Sequence, residues 1–86
     1  MPEISRFLGI VIYMYFNEHN PPHFHVEYNE YKASILIDSL GIMEGKLPPR
    51  VFSLAVEWAS EHQEELLGNW NSLRSIGKYH RIAPLV

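Results

Sequence analysis

His23-Phe24-His25-Val26-Glu27-Tyr28-Asn29-Glu30-Tyr31-Lys32-Ala33-Ser34-Ile35-Leu36-Ile37 holds two alternating apolar and polar runs on either side of an Asn29-Glu30 break. Alternation at period two sends successive side chains to opposite faces of a strand, and a two-residue gap that opens with Asn signals a hairpin. With Tyr28 opposite Tyr31, Glu27 meets Lys32, Val26 meets Ala33, His25 meets Ser34 and Phe24 meets Ile35. One face then carries Phe24, Val26, Tyr28, Tyr31, Ala33, Ile35 and Ile37. The other carries His23, His25, Glu27, Lys32, Ser34 and Asp38, with Leu36 the exception. A slip of one residue would mix the two sets, so the pattern itself selects the register.

Working outward, Phe7 to Phe16 is a nearly unbroken β-branched and aromatic run, which predicts one strand buried on both faces and central in its sheet. Asn17 to Asn20 are turn-forming types, and Pro21-Pro22 fix their own φ while pushing the residues before them towards extended geometry. A stiff arm is expected to deliver His23 into its strand. Downstream, Asp38-Ser39-Leu40-Gly41 reads as a turn into a short strand Ile42-Met43-Glu44 that ends at Gly45. Pro48-Pro49 can open a helix, and Val51, Leu54, Ala55, Trp58, Leu66, Trp70 and Leu73 keep helical spacing, with His62 filling a gap in the stripe. Run continuously to Ile76, that helix would be about 40 Å long. Ser60-Glu61-His62-Gln63 fits a capping box and Gly68 is a weak point, so two consecutive helices are the competing form, with Gly77 as the stop. Tyr79, Ile82 and Leu85 are expected to tuck against the sheet. The expected fold is α+β: a four-stranded antiparallel meander packed on one face by a long C-terminal helix or helix pair, in one domain spanning residues 1–86.

The 86 residues have room for one core, and an apolar share of 47% with 13% aromatic residues is that of a globular chain. No apolar run approaches the ~20 residues that span a bilayer, and the N-terminus lacks a secretory pattern, so the expected compartment is the cytoplasm. There is no cysteine, which excludes disulfides, thiolate metal sites and cysteine nucleophiles. A net charge of −3 argues against broad adhesion to nucleic acid or anionic membrane. Arg74, Lys78 and Arg81 nevertheless make the C-terminal end basic, and a solvated tail competes there with a phosphate-binding one.

Chemistry concentrates in His19-Asn20-Pro21-Pro22-His23-Phe24-His25. Two strand histidines at i and i+2 point the same way and supply half of a metal site, which His19 would extend only if the prolines fold the arm back. The same pair can act without metal as general base and general acid on an RNA 2′-hydroxyl and its leaving group, as in a metal-independent ribonuclease. His23, His25 and His19 are then the catalytic candidates. Arg6, Lys32 and Arg50 are the cations available for phosphate binding. No metal and no cofactor is assigned. Against both stands a polar sheet face with no chemical duty. Trp58 and Trp70 fall on the helical stripe and read as core rather than as base-stacking platforms. His62 reads as a hydrogen-bonded core histidine, and His80 has no evident partner.

Pro2-Glu3-Ile4-Ser5-Arg6-Phe7, Gly9-Ile10-Val11-Ile12, Met14 through Tyr28, Gly45-Lys46-Leu47-Pro48-Pro49-Arg50, Glu57-Trp58 and Asn69-Trp70 together resemble the family of small bacterial proteins called domain of unknown function 4160. The resemblance covers essentially the whole chain, and its His-Asn-Pro-Pro-His-Phe-His core is long and irregular. It implies a toxin or its partner in a toxin-antitoxin-type gene pair, with a cognate small protein from the same operon, but carries over no reaction; joined to the histidine pair, the expected function is a toxin-like component acting on RNA or translation. The alternatives are a protein-binding module that docks that partner without catalysis, or a His-ligated metal-binding regulatory domain. The resemblance names no catalytic residue.

Overall fold

The computed structural model describes residues 2–86. It is α+β, with one antiparallel sheet followed by two helices. Strands β1 (Glu3–Phe7), β2 (Ile10–Tyr13), β3 (His23–Tyr28), β4 (Tyr31–Leu36) and β5 (Ile42–Gly45) lie in the order β1-β2-β3-β4-β5. Helices α1 (Pro49–Ser60) and α2 (Gln63–Ser75) complete the chain's regular structure.

The hairpin of β3 and β4 has the register that its alternation predicts, from Tyr28 opposite Tyr31 to Phe24 opposite Ile35. Asn29 takes positive φ in the connecting turn, a conformation that Asn tolerates better than most residues.

The sheet has five strands, not four, because the Phe7–Phe16 run is not one strand. Leu8 and Gly9 both adopt positive φ, at 52° and 80°, and form a two-residue turn between Phe7 and Ile10. Such a turn matches the twist of flanking strands. Leucine is an unusual occupant, so apolarity hides the turn in the sequence. Glu3–Phe7 therefore pairs with Ile10–Tyr13 as an edge strand, and the centre of the sheet is β3. Burial on both faces in β2 has a local cause: Ile12 enters the core, while Tyr13 on the opposite face is covered by the rings of Tyr15 and His25.

One cluster of buried side chains draws on the sheet through Ile4, Ile12, Phe24, Val26 and Ile35, and on the helices through Ala55, Trp58, Leu66 and Trp70. Both tryptophans are core residues, as their spacing predicts. The helical stretch breaks into two at Glu61-His62, at the place that sequence suggests but by another device. The N-cap is His62, whose Nδ1 lies 2.6 Å from Glu65 Oε1, while the Ser60 hydroxyl donates to the Glu57 carbonyl. In the tail, Ile82 is buried and its N–H donates to Ile4 O at 2.9 Å, and Leu85 packs partly on the core, whereas Tyr79 is exposed. Asn69, fully buried, holds the tail by two bonds to the backbone of His80.

Gly68 lies within α2 without breaking it, and a Cβ placed there meets nothing within 4 Å. Glycine in a helix interior is less favourable than alanine by roughly 0.5–1 kcal/mol. Gly68→Ala should therefore raise the urea midpoint by that amount of stability. A fall would mean that the glycine serves some contact made only in solution.

Candidate functional site

Nearest-neighbour pairing lines up residues of one sheet face in rows. Tyr13 lies beside His25, His25 beside Ser34 and Ser34 beside Glu44, while Arg6, Val11, Glu27 and Lys32 form the next row. These positions are fixed by register, so polar residues of all five strands meet on one surface.

The chain between β2 and β3 adds the decisive residue. Asn17 takes positive φ, the Asn20-Pro21 peptide bond is cis, and the connection bends where the two prolines predict an extended arm. It brings Glu18, not His19, against the two strand histidines. Glu18 Oε2 lies 3.1 Å from His23 Nε2, and Oε1 lies 2.5 Å from His25 Nε2. The outer nitrogens are also held. His23 Nδ1–H donates to the Pro21 carbonyl at 2.8 Å, and His25 Nδ1 lies 3.2 Å from the Ser34 hydroxyl.

Aromatic rings fix the imidazoles. His25 stacks on Tyr13 at 5.1 Å and 13° and meets Tyr15 edge-on at 4.8 Å, while His23 contacts Trp70 at 5.1 Å. Burial first, then the Tyr15 hydroxyl and the negative charge of Glu27 and Glu18, push the Tyr13 phenol up from its ordinary value. Tyr13 is thus a neutral ring and a hydrogen-bond donor across the working pH range. Side-chain exposures of 5% for His23, 16% for His25 and 18% for Glu18 show a group that solvent reaches from the Glu18 and His25 side. The polar face is thus largely covered at this end: His23 lies under Trp70, Ser34 is buried as well, and His25 keeps only a small exposure.

Beside His25 an open depression of about 350 Å³ is lined by Tyr13, Tyr15, His25, Lys32, Ser34 and Glu44 among others. Of the candidates read from sequence, His23 and His25 come together and Lys32 borders the same depression, its ammonium 3.9 Å from Glu27. His19 is exposed and outside the group. Arg6 is turned to Glu3 at 2.7 Å, and Arg81 reaches the same carboxylate at 2.9 Å; Arg6 first and Arg81 next hold the Glu3 carboxyl below its ordinary range. Arg50 lines a different cavity with Leu8, Tyr28 and Leu54. Arg74 of the basic C-terminal stretch lies over Trp70 and donates to Asn20, so it is engaged within the chain.

The geometry constrains the chemistry. A carbonyl only accepts, so His23 Nδ1 carries hydrogen, and Nε2 is the ring nitrogen turned to Glu18. Both nitrogens of both rings already have partners. Neither imidazole presents a free nitrogen to the depression, so an independent base and acid pair is not what this arrangement offers. Glu18, His23 and His25 are instead the residues that could hold a cation, with one ligand atom each and all three atoms within 4.8 Å of one another. Sequence reasoning passed over Glu18 in favour of its neighbour His19. The available signal was a carboxylate five and seven residues before two same-face histidines, with prolines between to turn the chain.

Residues 9–71, well over half of the chain, match the family described as Domain of unknown function (DUF4160). The chain belongs to this family. The matched segment contains Glu18, His23, His25, Ser34 and Trp70, and so the whole group with its supports. No curated protein and no solved structure matches the chain. No helix among the described residues is long and apolar enough to cross a membrane.

Proposed function

We propose that this protein is the toxin-like component of a small bacterial gene pair and acts in the cytoplasm on RNA or the translation machinery through the His25-bearing face of its sheet. In this reading the helix pair covers the Phe24 face and, through Trp70, the His23 end of the opposite one, and leaves the His25 end for substrate. The observation that carries it is the His25 ring at the margin of the open depression, backed by Glu18 and His23. Taking ionisable side chains out of water costs stability in so small a domain, and clustered ones beside a cleft are candidates for function. Tyr15, exposed and edge-on to His25, suits a stacked base, and the 70%-exposed Lys32 suits a phosphate.

The test is induced expression in a bacterial host, with RNA integrity and protein synthesis followed after induction. Wild-type protein should arrest growth, and folded His25→Ala should relieve that arrest. Arrest that persists undiminished in His25→Ala would move the activity away from this face.

A second reading, the docking module, draws on β5. That strand is exposed along its length, ends the sheet, and shows Ile42 and Met43 to solvent. A cognate operon partner could add a strand there. Loss of neighbour binding in Met43→Glu, with RNA intact throughout, would favour it over catalysis.

A further inference from the structure

We propose that Glu18, His23 and His25 form a binding site for one divalent first-row transition-metal ion, ligated by the two Nε2 atoms and the Glu18 carboxylate. The inference stands on the geometry of the group and does not depend on the RNA reading.

Three features point to an ion rather than to a buried hydrogen-bonded network alone. The first is convergence: the Nε2 atoms and the carboxylate oxygens face one another, all within 4.8 Å. Ligands about 2.0–2.2 Å from a shared ion stand roughly 3.0–3.5 Å apart, so an opening of the 2.5 Å and 3.1 Å contacts by a few tenths of an ångström up to about 1 Å admits one. The second is the outer shell. Metal-bound imidazoles nearly always hand the other ring nitrogen to a carbonyl, carboxylate or hydroxyl that fixes ring and tautomer. Here Pro21 O holds His23 Nδ1–H, and Ser34 Oγ holds His25 Nδ1. With Nδ1 of His23 committed as donor to the Pro21 carbonyl, its Nε2 is the lone-pair nitrogen of the neutral ring and the one that can ligate an ion. The Ser34 hydroxyl, able to donate or accept, accommodates the matching tautomer of His25. The third is rigidity: Trp70 backs His23, and Tyr13 and Tyr15 bracket His25, so two of the three ligands are placed before an ion arrives.

Two imidazoles and one carboxylate, with no thiolate in the chain, suit zinc, iron(II), cobalt(II) or nickel(II) rather than calcium or magnesium. Three protein ligands leave further coordination positions for water or a substrate oxygen. A second His-Glu-His arrangement is looser: Glu65 lies 2.6 Å from His62, but His80 Nε2 is 3.8 Å away and its side chain is 62% exposed.

The experiment uses the chelator-treated full chain with Zn²⁺ and Co²⁺ as probes. Calorimetry should give one ion per chain, the thermal midpoint should rise with ion concentration by mass action, and Co²⁺ should develop visible absorption. In long-range proton–nitrogen spectra of wild-type protein, Zn²⁺ should shift the Nε2 signals of His23 and His25 and leave His19, His62 and His80 unmoved. Glu18→Gln and His25→Ala, checked for folding by circular dichroism, should lose the binding, and Ser34→Ala should weaken it roughly 10-fold. His80→Ala should leave it intact. No binding by wild-type protein, unchanged binding in folded His25→Ala, or shifts confined to His62 and His80 would each overturn the proposal. Because the readouts are binding alone, a failure here leaves the RNA reading standing, and the converse also holds.

Discussion

Trp58→Ala should lower the unfolding free energy by about 3–5 kcal/mol, the range found when a buried tryptophan is truncated to alanine. Trp58 is fully buried; its ring centre lies 5.7 Å from Phe7, 6.1 Å from Phe24 and 5.4 Å from His62. It therefore ties β1 and β3 to α1 and to the junction between the helices. Its indole N–H also donates to the Ala83 carbonyl at 2.8 Å, which fastens the C-terminal tail. Against a total stability of roughly 5–10 kcal/mol for a domain of this size, the variant should be largely unfolded well below the wild-type melting temperature. Urea denaturation measures the loss. Trp58→Phe separates its parts, because it keeps most of the ring and gives up the tail bond, worth about 1 kcal/mol net. A cost below about 2 kcal/mol for the alanine variant would show that the core closes over the gap.

Legibility followed the strength of local patterns. The β3–β4 hairpin could be read residue by residue because strict alternation of Phe24, Val26, Ala33 and Ile35 with His25, Glu27, Lys32 and Ser34 allows one register. The helical break at residues 61–62 was legible as a weak point, and Trp58 and Trp70 were legible as core by their spacing. The β1–β2 hairpin was not. Its turn is Leu8-Gly9, and leucine at positive φ is held there by strand pairing on both sides, a tertiary effect that no propensity announces. The candidate site divides in the same way. That His23 and His25 share a face follows from period two. That Glu18 joins them follows from the path of the nine-residue connection, residues 14 to 22, which bends at Asn17 and the proline pair. Burial of His23 required knowing where Trp70 would sit, and α2 is far away in sequence. Long-range packing decided which histidine is exposed.

Gly45→Ala should cost about 2–3 kcal/mol and should release β5 instead of unfolding the domain. Gly45 has φ +77°, where an L-residue is strained by roughly 1–2 kcal/mol. An added Cβ would also stand 2.2 Å from the Lys32 carbonyl oxygen and 2.9 Å from Ala33 Cα. Both are backbone atoms of β4, so no side-chain rotation relieves the clash, and the strands must separate. The Lys46 N–H bond to Lys32 O is lost with them. What limits the damage is that β5 is exposed throughout and brings little apolar surface into the core. Detaching a few ladder hydrogen bonds, each worth about 1 kcal/mol net, is cheaper than disturbing Phe24, Val26 and Ile35 on the neighbouring strands. Hydrogen exchange should show the Glu44 amide and its partners on β4 losing protection while β2 and β3 keep theirs. The depression beside His25 would lose its Glu44 and Gly45 wall, and Ser34 would open to solvent, so ligand binding at that surface should weaken even though Glu18, His23 and His25 stay in place. Complete unfolding would show β5 to be integral to the core, and unchanged exchange with a cost under about 1 kcal/mol would show that the backbone there yields more readily than its close contacts imply.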